Sequence, residues 1–448
     1  MNIAIIGGVA AGTSAAAKAR RENNNAEIVL FEKGENISYA GCGLPYYISG
    51  VIDNKEKLIT FTPKEFIKKY NVDIRIKHEV TEIIPEKKLI KYKNYNQGTA
   101  NTYNYDKLII TTGARPIIPK IPGIKLNNIF TLRSLAEGET IKNKIAKQNI
   151  SKVTIIGAGL VGMEMAESFK KTGLEVTLVE KAPTVLPQIS NEMSEIVEKH
   201  LKEKDIKLIL ADGVKEFAGT NKVETVFTEK NKKIPSDLVL ISIGIKPNIE
   251  MAQNSGIKIG NTGAIAVNNK METSHFDIFA AGDCAESKNL IINKMDWVPL
   301  GSTANKQGRV AGENAAGGNN EHLGILKTAI TKIFELTVAR TGLTLKEAEK
   351  EGFDVITTKI DTRNQAGYYP GVKKISLKGI FDKKSKRVLG AEVIGKKGVD
   401  KRIDVLSTAI YSNLTTKDLV DIDLAYAPPY STPKDPVAIL GMVAGKKL

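Results

Sequence analysis

Short apolar runs alternate along the chain with longer segments of helical spacing, and one such unit occurs twice. The first copy reads NIAIIGGVAAGTSAAAKARRENNNAEIVLFEK from Asn2, and the second reads KVTIIGAGLVGMEMAESFKKTGLEVTLVEK from Lys152. In each, a continuous apolar run leads into a glycine-rich turn, an amphipathic helix and a second apolar run that closes on Glu-Lys. That order predicts strand, helix and strand around a dinucleotide site. Three later runs also predict strands entering turns: LIITTGARP (Leu108 to Pro116), LVLISIGIKPN (Leu238 to Asn248) and FDIFAAGDCAE (Phe276 to Glu286). The first two of these fit equally well as ordinary strand ends.

The turns carry the first chemistry. Glycines let the backbone approach a pyrophosphate, whose charge meets the free N–H groups and positive end of the following helix. An acidic residue at the end of the second strand, Glu32 or Glu180, then accepts hydrogen bonds from a ribose diol. Gly157, Gly159 and Gly162 complete G-x-G-x-x-G, whereas in the first copy Gly7 and Gly12 fit and Val9 takes the middle place. One such fingerprint is weak evidence; two in strand–turn–helix context are strong. The Glu180 carboxylate repels a 2′-phosphate and so favours NADH over NADPH, while Lys181 beside it works the other way. Gly282 and Asp283 follow the third run, where the Asp serves either as a helix cap or as an acceptor for the ribitol of FAD. Their place after two dinucleotide units favours the second role.

At 448 residues the chain exceeds a single core and implies two or three domains. The net charge of +15 reflects either a solvated Lys- and Asn-rich surface or an attraction for polyanionic small molecules. No zinc-finger spacing, basic heptad region or aromatic RNA-binding strand is present, so no nucleic-acid partner is expected. Only Cys42 and Cys284 occur, which excludes a disulfide framework and a cysteine-rich zinc or iron–sulfur site; no metal is expected. The N-terminus has no secretory pattern and no apolar run approaches the ~18 residues that span a bilayer, so a cytoplasmic protein with no membrane partner is expected.

With these pieces in order, the whole chain resembles the pyridine nucleotide–disulfide oxidoreductases. The resemblance implies an α/β fold with two Rossmann-like dinucleotide-binding domains and a C-terminal α+β dimerisation domain. Residues 1–115 and 250–322 would form a discontinuous FAD domain, 116–249 the NAD(P)H domain and 323–448 the interface domain of a homodimer. It further implies that FAD rests on the first turn, Gly7, Gly8, Val9, Ala10, Ala11 and Gly12. Glu32, Lys33 and Val80 would join it, with Thr111, Thr112, Gly113, Ala114, Arg133 and Asp283. The nicotinamide nucleotide would lie on Gly157, Gly159, Leu160, Val161, Gly162 and Glu180, with Glu164 and Gly244 near the nicotinamide.

Many members of the family carry Cys-x4-Cys beside the flavin. Here Ile37 and Tyr47 stand five places to either side of Cys42, and Cys284 reads as a small buried residue. The chain therefore resembles the single-cysteine branch of coenzyme A-disulfide reductases, NADH peroxidases, NADH oxidases and persulfide reductases. Peroxidases and water-forming oxidases of that branch have His in the first turn; this chain has Ala10, which does no acid–base work. GGVAAG, SYAGCGLPYY, NQAGYYPG, GVDKRIDVLSTAI and LAYAPPYSTPKDP together resemble the coenzyme A-disulfide reductases.

By that resemblance Cys42 forms a mixed disulfide with coenzyme A, and Tyr368 and Tyr426 reach the partner subunit's site. Ser38 and Lys434 would contact substrate, whereas Tyr369 and Tyr430 pack the interface. Ser14, Lys18 and Arg21, at spacings of four and three, share one helix face. They engage coenzyme A phosphates or form a solvated basic helix end. A short helix after Cys42 is expected to lower its pKa and supply a thiolate at neutral pH. Gly41 is Asn in many of these reductases, which leaves room for other acceptors: an NADH oxidase, or a coenzyme A-persulfide or polysulfide reductase. A different class, a flavoprotein electron donor to a protein partner, would leave Cys42 incidental.

Overall fold

The apolar runs that open the two repeated units become the middle strands of two parallel sheets in the computed structural model, which describes residues 1–448. The first sheet has the order Ile278–Ala280, Lys107–Ile110, Asn2–Ile6, Glu27–Glu32, Asp73–Ile76, every pair parallel. Ile3, Ile5, Leu108, Ile109 and Ile110 are wholly buried, as strands covered on both faces must be. On this sheet lie helices Ala10–Glu22 and Gly301–Ala315. They approach so closely that a Cβ on Gly308 would stand 2.3 Å from Ala11 O and one on Gly312 2.2 Å from Ala15 O.

The second sheet repeats the plan with Lys207–Ile209, Glu175–Val179, Lys152–Ile156, Leu238–Ile241 and Ile129–Phe130, again all parallel. All its strands lie in sequence between the Lys107–Ile110 and Ile278–Ala280 strands of the first sheet. The chain thus leaves the first unit, builds the second and returns. The outward and return passages run side by side as an antiparallel pair, Ala114–Pro116 with Ile245–Pro247.

The third sheet is antiparallel, in the order Ala329–Ile333, Leu336–Gly342, Val388–Gly395, Lys374–Asp382, Val355–Arg363. Its strand Val388–Gly395 is buried at every position rather than at alternate ones. Helices Val399–Tyr411 and Pro436–Gly445 pack against this sheet. The second unit covers more of it: Ile333, Leu336, Val338 and Ile394 share one apolar cluster with Ile155 and Met163. Glu392 on the same strand accepts hydrogen bonds from Ser190 N and Oγ at 2.9 and 2.6 Å. The expected fold, two Rossmann-like units and a C-terminal α+β unit, is the one observed. No helix is long and apolar enough to cross a membrane.

Candidate active site

The same contacts build both repeated turns. Gly7 and Gly157 have φ of +100° and +103°, and a Cβ there would lie 2.3 Å from Thr111 O and 2.5 Å from Ser242 O. Only glycine suits such positions. Thr111 Oγ1 donates to Ile6 O and Gly7 O at 2.7 and 3.0 Å; Ser242 Oγ donates to Ile156 O and Gly157 O, both at 3.0 Å. Ser242 escaped the sequence reading, although it ends the strand equivalent to that of Thr111. The middle position is different. Gly159 has an ordinary φ of −76°, and a Cβ there would meet nothing within 4 Å, so this position does not demand glycine as Gly157 does.

Each turn has a carboxylate at its edge. Glu32 accepts from Gly8 N and Gly34 N, and Glu180 from Ala158 N and Ala182 N, all at 2.7 Å. Helices then start at Ala10, beside buried Ala11 and Gly12, and at Leu160, beside exposed Val161 and buried Gly162. A free helix end with a carboxylate beside it fits the pyrophosphate and ribose of a dinucleotide. Lys33 is exposed, and Lys181 turns to Glu229 at 3.1 Å.

Several of the remaining candidates are joined at the strand end that follows Ile110. Thr112 Oγ1 donates to Asn248 O at 2.7 Å, Asn248 Nδ2 returns a bond to Thr112 O at 2.8 Å, and Asn248 N donates to Gly113 O at 2.9 Å. This ties the Thr111–Ala114 turn to the return passage. Arg133 Nε donates to Ala114 O at 3.2 Å, and its Nη2 stands 2.6 Å from Asp283 Oδ2. Asp283, expected to meet ribitol, thus already holds a cation. Trp297 Nε1 donates to its carbonyl at 2.9 Å. Val80 is buried in strand His78–Ile84, opposite Tyr92, and Gly244 is exposed with φ +115°.

Cys42 lies at the seam of the two nucleotide-binding units. Ser38 N donates to Gly8 O at 2.9 Å and Ala40 N to Leu58 O at 2.8 Å, which lays this segment beside the first turn. Gly41–Gly43 forms one tight turn before helix Leu44–Ile48. That helix is anchored from the second unit: Ser168 Oγ donates to Pro45 O at 2.8 Å. Cys42 is exposed, yet its sulfur is not in free water. Partial burial pushes the thiol up, Glu164 and Asp283 push the same way, and Arg133 opposes them. The expected thiolate at neutral pH is therefore corrected. A helix of five residues has little dipole to offer, and Cys42 precedes it in a separate turn.

Glu164 is itself pushed up, by burial first; a hydrogen bond from Thr331 Oγ1 at 3.0 Å opposes this and Glu167 adds to it. Burial, Glu164, Glu167 and Cys42 push up the phenol of Tyr46, four residues after Cys42 and also missed from sequence. Cys284 is wholly buried, its Sγ against Ile110 O and Ala281 O, so it offers no second sulfur to a substrate. No histidine is among the charged groups that act on Cys42.

On helix Ala10–Glu22, Ser14 and Lys18 are half-buried and Arg21 is exposed. Lys18 is not a free cation: Glu22 and Glu313 both stand 2.9 Å from its Nζ and push its pKa up. Asn305 Nδ2 donates to Ser14 Oγ at 2.8 Å, a partner 291 residues away that sequence spacing does not reveal. Tyr368, Tyr426 and Lys434 are exposed on the third unit, and Tyr368 pushes the Tyr426 hydroxyl up. Tyr369 and Tyr430 are exposed there too.

The family model described as pyridine nucleotide-disulphide oxidoreductase matches residues 1–308, and that of its dimerisation domain matches 328–436. The chain is 40% identical over 442 residues to an NAD(P)H sulfur oxidoreductase (CoA-dependent) of Pyrococcus furiosus, covering 98% of each chain. It is 37% identical over 449 residues to an NADH oxidase of Methanocaldococcus jannaschii, covering 100% of this chain and 99% of the relative. With a coenzyme A disulfide reductase of Staphylococcus epidermidis it shares 32% identity over 447 residues, 99% of each. Among solved structures, an NAD-dependent persulfide reductase from A. fulgidus superposes with a TM-score of 0.97 at 40% identity, covering 100% of this chain and 83% of that one.

Proposed function

The chain belongs to the pyridine nucleotide-disulphide oxidoreductase family, and we propose that it uses NADH to reduce coenzyme A disulfide through Cys42 alone. It is an NAD(P)H-dependent flavin disulfide oxidoreductase, with FAD and NAD(P)H as cofactors. The observation that carries the finer reading is the disposition of its sulfurs: Cys42 is exposed and Cys284 is sealed. The second sulfur must then come from the substrate.

The first turn with Glu32, Arg133 and Asp283 holds FAD, and the second turn with Glu180 holds the nucleotide. Because Lys181 is engaged by Glu229, the Glu180 carboxylate is left to repel a 2′-phosphate, which favours NADH. Cys42 thiolate attacks one sulfur of the disulfide. A Cys42–coenzyme A disulfide forms, the substrate S–S bond breaks, and the other coenzyme A leaves as a thiolate that takes a proton from Tyr426 of the partner subunit. When bound on those turns, FAD would pass the two electrons of NADH to the Cys42 side, so that the mixed disulfide bond would break to return Cys42 as thiolate and, with one proton, release the second coenzyme A as thiol. A thiol of raised pKa gives a more nucleophilic thiolate, at the cost of a smaller ionised fraction. Ser14, Arg21, Ser38 and the partner's Lys434 contact coenzyme A in this scheme.

A persulfide acceptor carried by coenzyme A is the second reading. Gly41 favours it: a Cβ there would meet nothing within 4 Å, so the space beside Cys42 is open to a different sulfur group.

Intact mass of the unreduced protein tests the proposal. The expected result is a coenzyme A adduct on Cys42 that dithiothreitol removes. Cys42→Ser should lose disulfide turnover while NADH still bleaches the flavin. A bare Cys42 with turnover intact in Cys42→Ser would sink it and favour electron donation to a protein partner. Comparing kcat/KM for coenzyme A disulfide and coenzyme A persulfide decides between the two acceptors.

A further inference from the structure

One turn of helix Leu160–Lys171 is gripped by the third unit. Thr331 is 5% exposed on strand Ala329–Ile333, and its Oγ1 donates to Glu164 Oε1 at 3.0 Å. The following hairpin holds Glu167, one turn along, through Phe334 N at 2.6 Å and Lys332 Nζ at 3.3 Å. The two grips differ in kind. Glu167 also has Lys171 at 2.6 Å, so two cations and an N–H surround it. The Glu164 carboxylate has no cation and one hydrogen-bond donor, the Thr331 hydroxyl. On the far side of the same turn, Ser168 Oγ bonds both Glu164 O at 2.9 Å and Pro45 O at 2.8 Å, which fixes the helix to the segment bearing Cys42.

We propose that Thr331 is a positioning residue for the thiol chemistry: its hydroxyl grips and orients the Glu164 carboxylate at the Cys42 seam, so that the third unit controls the charge facing the redox sulfur. The physical basis is that two neighbouring acids in a partly desolvated site resist ionising together. Each of Glu164 and Cys42 therefore holds back the ionisation of the other, so a proton gained or lost by Glu164 changes how readily Cys42 ionises. The other groups facing Cys42 are Asp283, Arg133 and the Tyr46 phenol; Glu164 also faces Glu167. Asp283 and Arg133 are paired with each other, and Glu167 is neutralised by its lysines, so Glu164 is the group left to answer.

The sign of a change follows. Without the Thr331 donor, burial and Glu167 push Glu164 further up, and it takes its proton at higher pH. A neutral Glu164 no longer opposes the thiolate. Below that pH Cys42 therefore ionises more readily than a single titration curve allows.

The inference rests on reading Cys42 as the redox thiol, but its test reads ionisation and not turnover. Holoenzyme is reduced with dithiothreitol, desalted and alkylated with iodoacetamide across the pH range, and modification of Cys42 is followed by peptide mass. Wild type should show a shoulder where Glu164 takes its proton, and Glu164→Gln a plain single-thiol curve. Thr331→Val should move the shoulder to higher pH by something like one unit, the scale of one lost hydrogen bond to a charge. Thr331→Ser, which keeps the hydroxyl, should leave it in place, and Thr331→Ala should match Thr331→Val. Flavin content checks that each variant is folded. An unmoved shoulder in both Thr331→Val and Thr331→Ala, no shoulder in wild type, or a shoulder that survives Glu164→Gln would each overturn the proposal. Loss of coenzyme A disulfide activity in Cys42→Ser has no bearing on these curves and tests the functional reading separately.

Discussion

Glu180 and Asp283 show how far a single side chain can be read. Glu180 ends an apolar run, and from that place alone a ribose partner follows. The structure adds that Lys181 is turned to Glu229. Glu180→Ala should therefore narrow the ratio of kcat/KM for NADH over NADPH, by about tenfold for one lost like-charge contact. A ratio that stays fixed would show that other residues choose the nucleotide. Asp283 sits against Arg133 at 2.6 Å. Asp283→Ala leaves that cation unpaired at the FAD site, and the flavin-to-protein absorbance ratio of purified enzyme should fall; full occupancy would remove Asp283 from the site. Residues such as Ser242, Asn248, Asn305 and Thr331 were illegible for a common reason. Each acts on a partner at least 85 residues away, and a polar side chain at the end of a strand or on a helix carries no mark of which distant group it meets. The Cys42 pKa departs from expectation because even a short helix was expected to lower it, and burial and carboxylates at the seam outweigh five residues of dipole.

At the scale of elements, the helix pair Ala10–Glu22 and Gly301–Ala315 sets the first turn in place. The small residues Ala11, Ala15, Gly308 and Gly312 let the two backbones nearly touch. In Gly308→Ala the new methyl would meet Ala11 O, a backbone atom that no rotamer can move aside. A loss of about 1–3 kcal/mol is expected, with weaker flavin retention, because Ala11 belongs to the turn itself. Thermal melts and flavin content read both effects; a variant as stable as wild type would mean that the helices can part at no cost. The loops of the third unit depend on a different device. Arg402, 1% exposed, bonds Asn364 O at 3.0 Å, Tyr430 O at 3.3 Å and Asp435 Oδ2 at 2.9 Å, joining the segments that lead to Tyr368 and follow Tyr426. Burial pushes Asp435 up, but Val437 N–H, Ser431 and Arg402 overcome it and hold the carboxyl below its usual range. The stability this confers is complete above the unfolded carboxylate pKa of about 3.9 and lost as pH falls through the lower folded value. Arg402→Leu, which leaves the buried carboxylate with Lys401 at 3.7 Å as its remaining cation, should cost about 3 kcal/mol, the low end for a broken buried pair. It should also flatten that acid dependence in urea melts taken below pH 4; an unchanged acid dependence would show that the Arg402 contact is not its source.

Across the whole molecule, a discontinuous first unit was expected only through the family resemblance, which the two dinucleotide signatures and the returning GD turn carry; no single apolar run announces it. The fusion of the second and third units was not legible, since the shared cluster of Ile155, Met163, Ile333 and Val338 joins runs that each look like an ordinary strand or helix face. The arrangement of two subunits is where the largest prediction lies. Tyr368 and Tyr426 are exposed at 78% and 48%, together on a unit that matches a dimerisation domain, as side chains completed by a second copy would be. Tyr426→Phe keeps the ring, and so the packing, and deletes only the proton donor. Flavin content, dimerisation and flavin bleaching by NADH should stay near wild type while disulfide turnover falls by roughly 10²-fold, the low end for a lost general acid. Mixed dimers sharpen the test. If each site takes Cys42 from one chain and Tyr426 from the other, a Tyr426→Phe subunit paired with a Cys42→Ser subunit holds one site with both residues intact and one with neither. Mixing equal amounts of the two impaired homodimers under conditions that exchange subunits should then restore activity toward about a quarter of wild type, since about half the dimers become mixed and each holds one intact site of two. If exchange is proven and activity does not return, both residues serve a site within one chain, or the Tyr426 hydroxyl donates no proton.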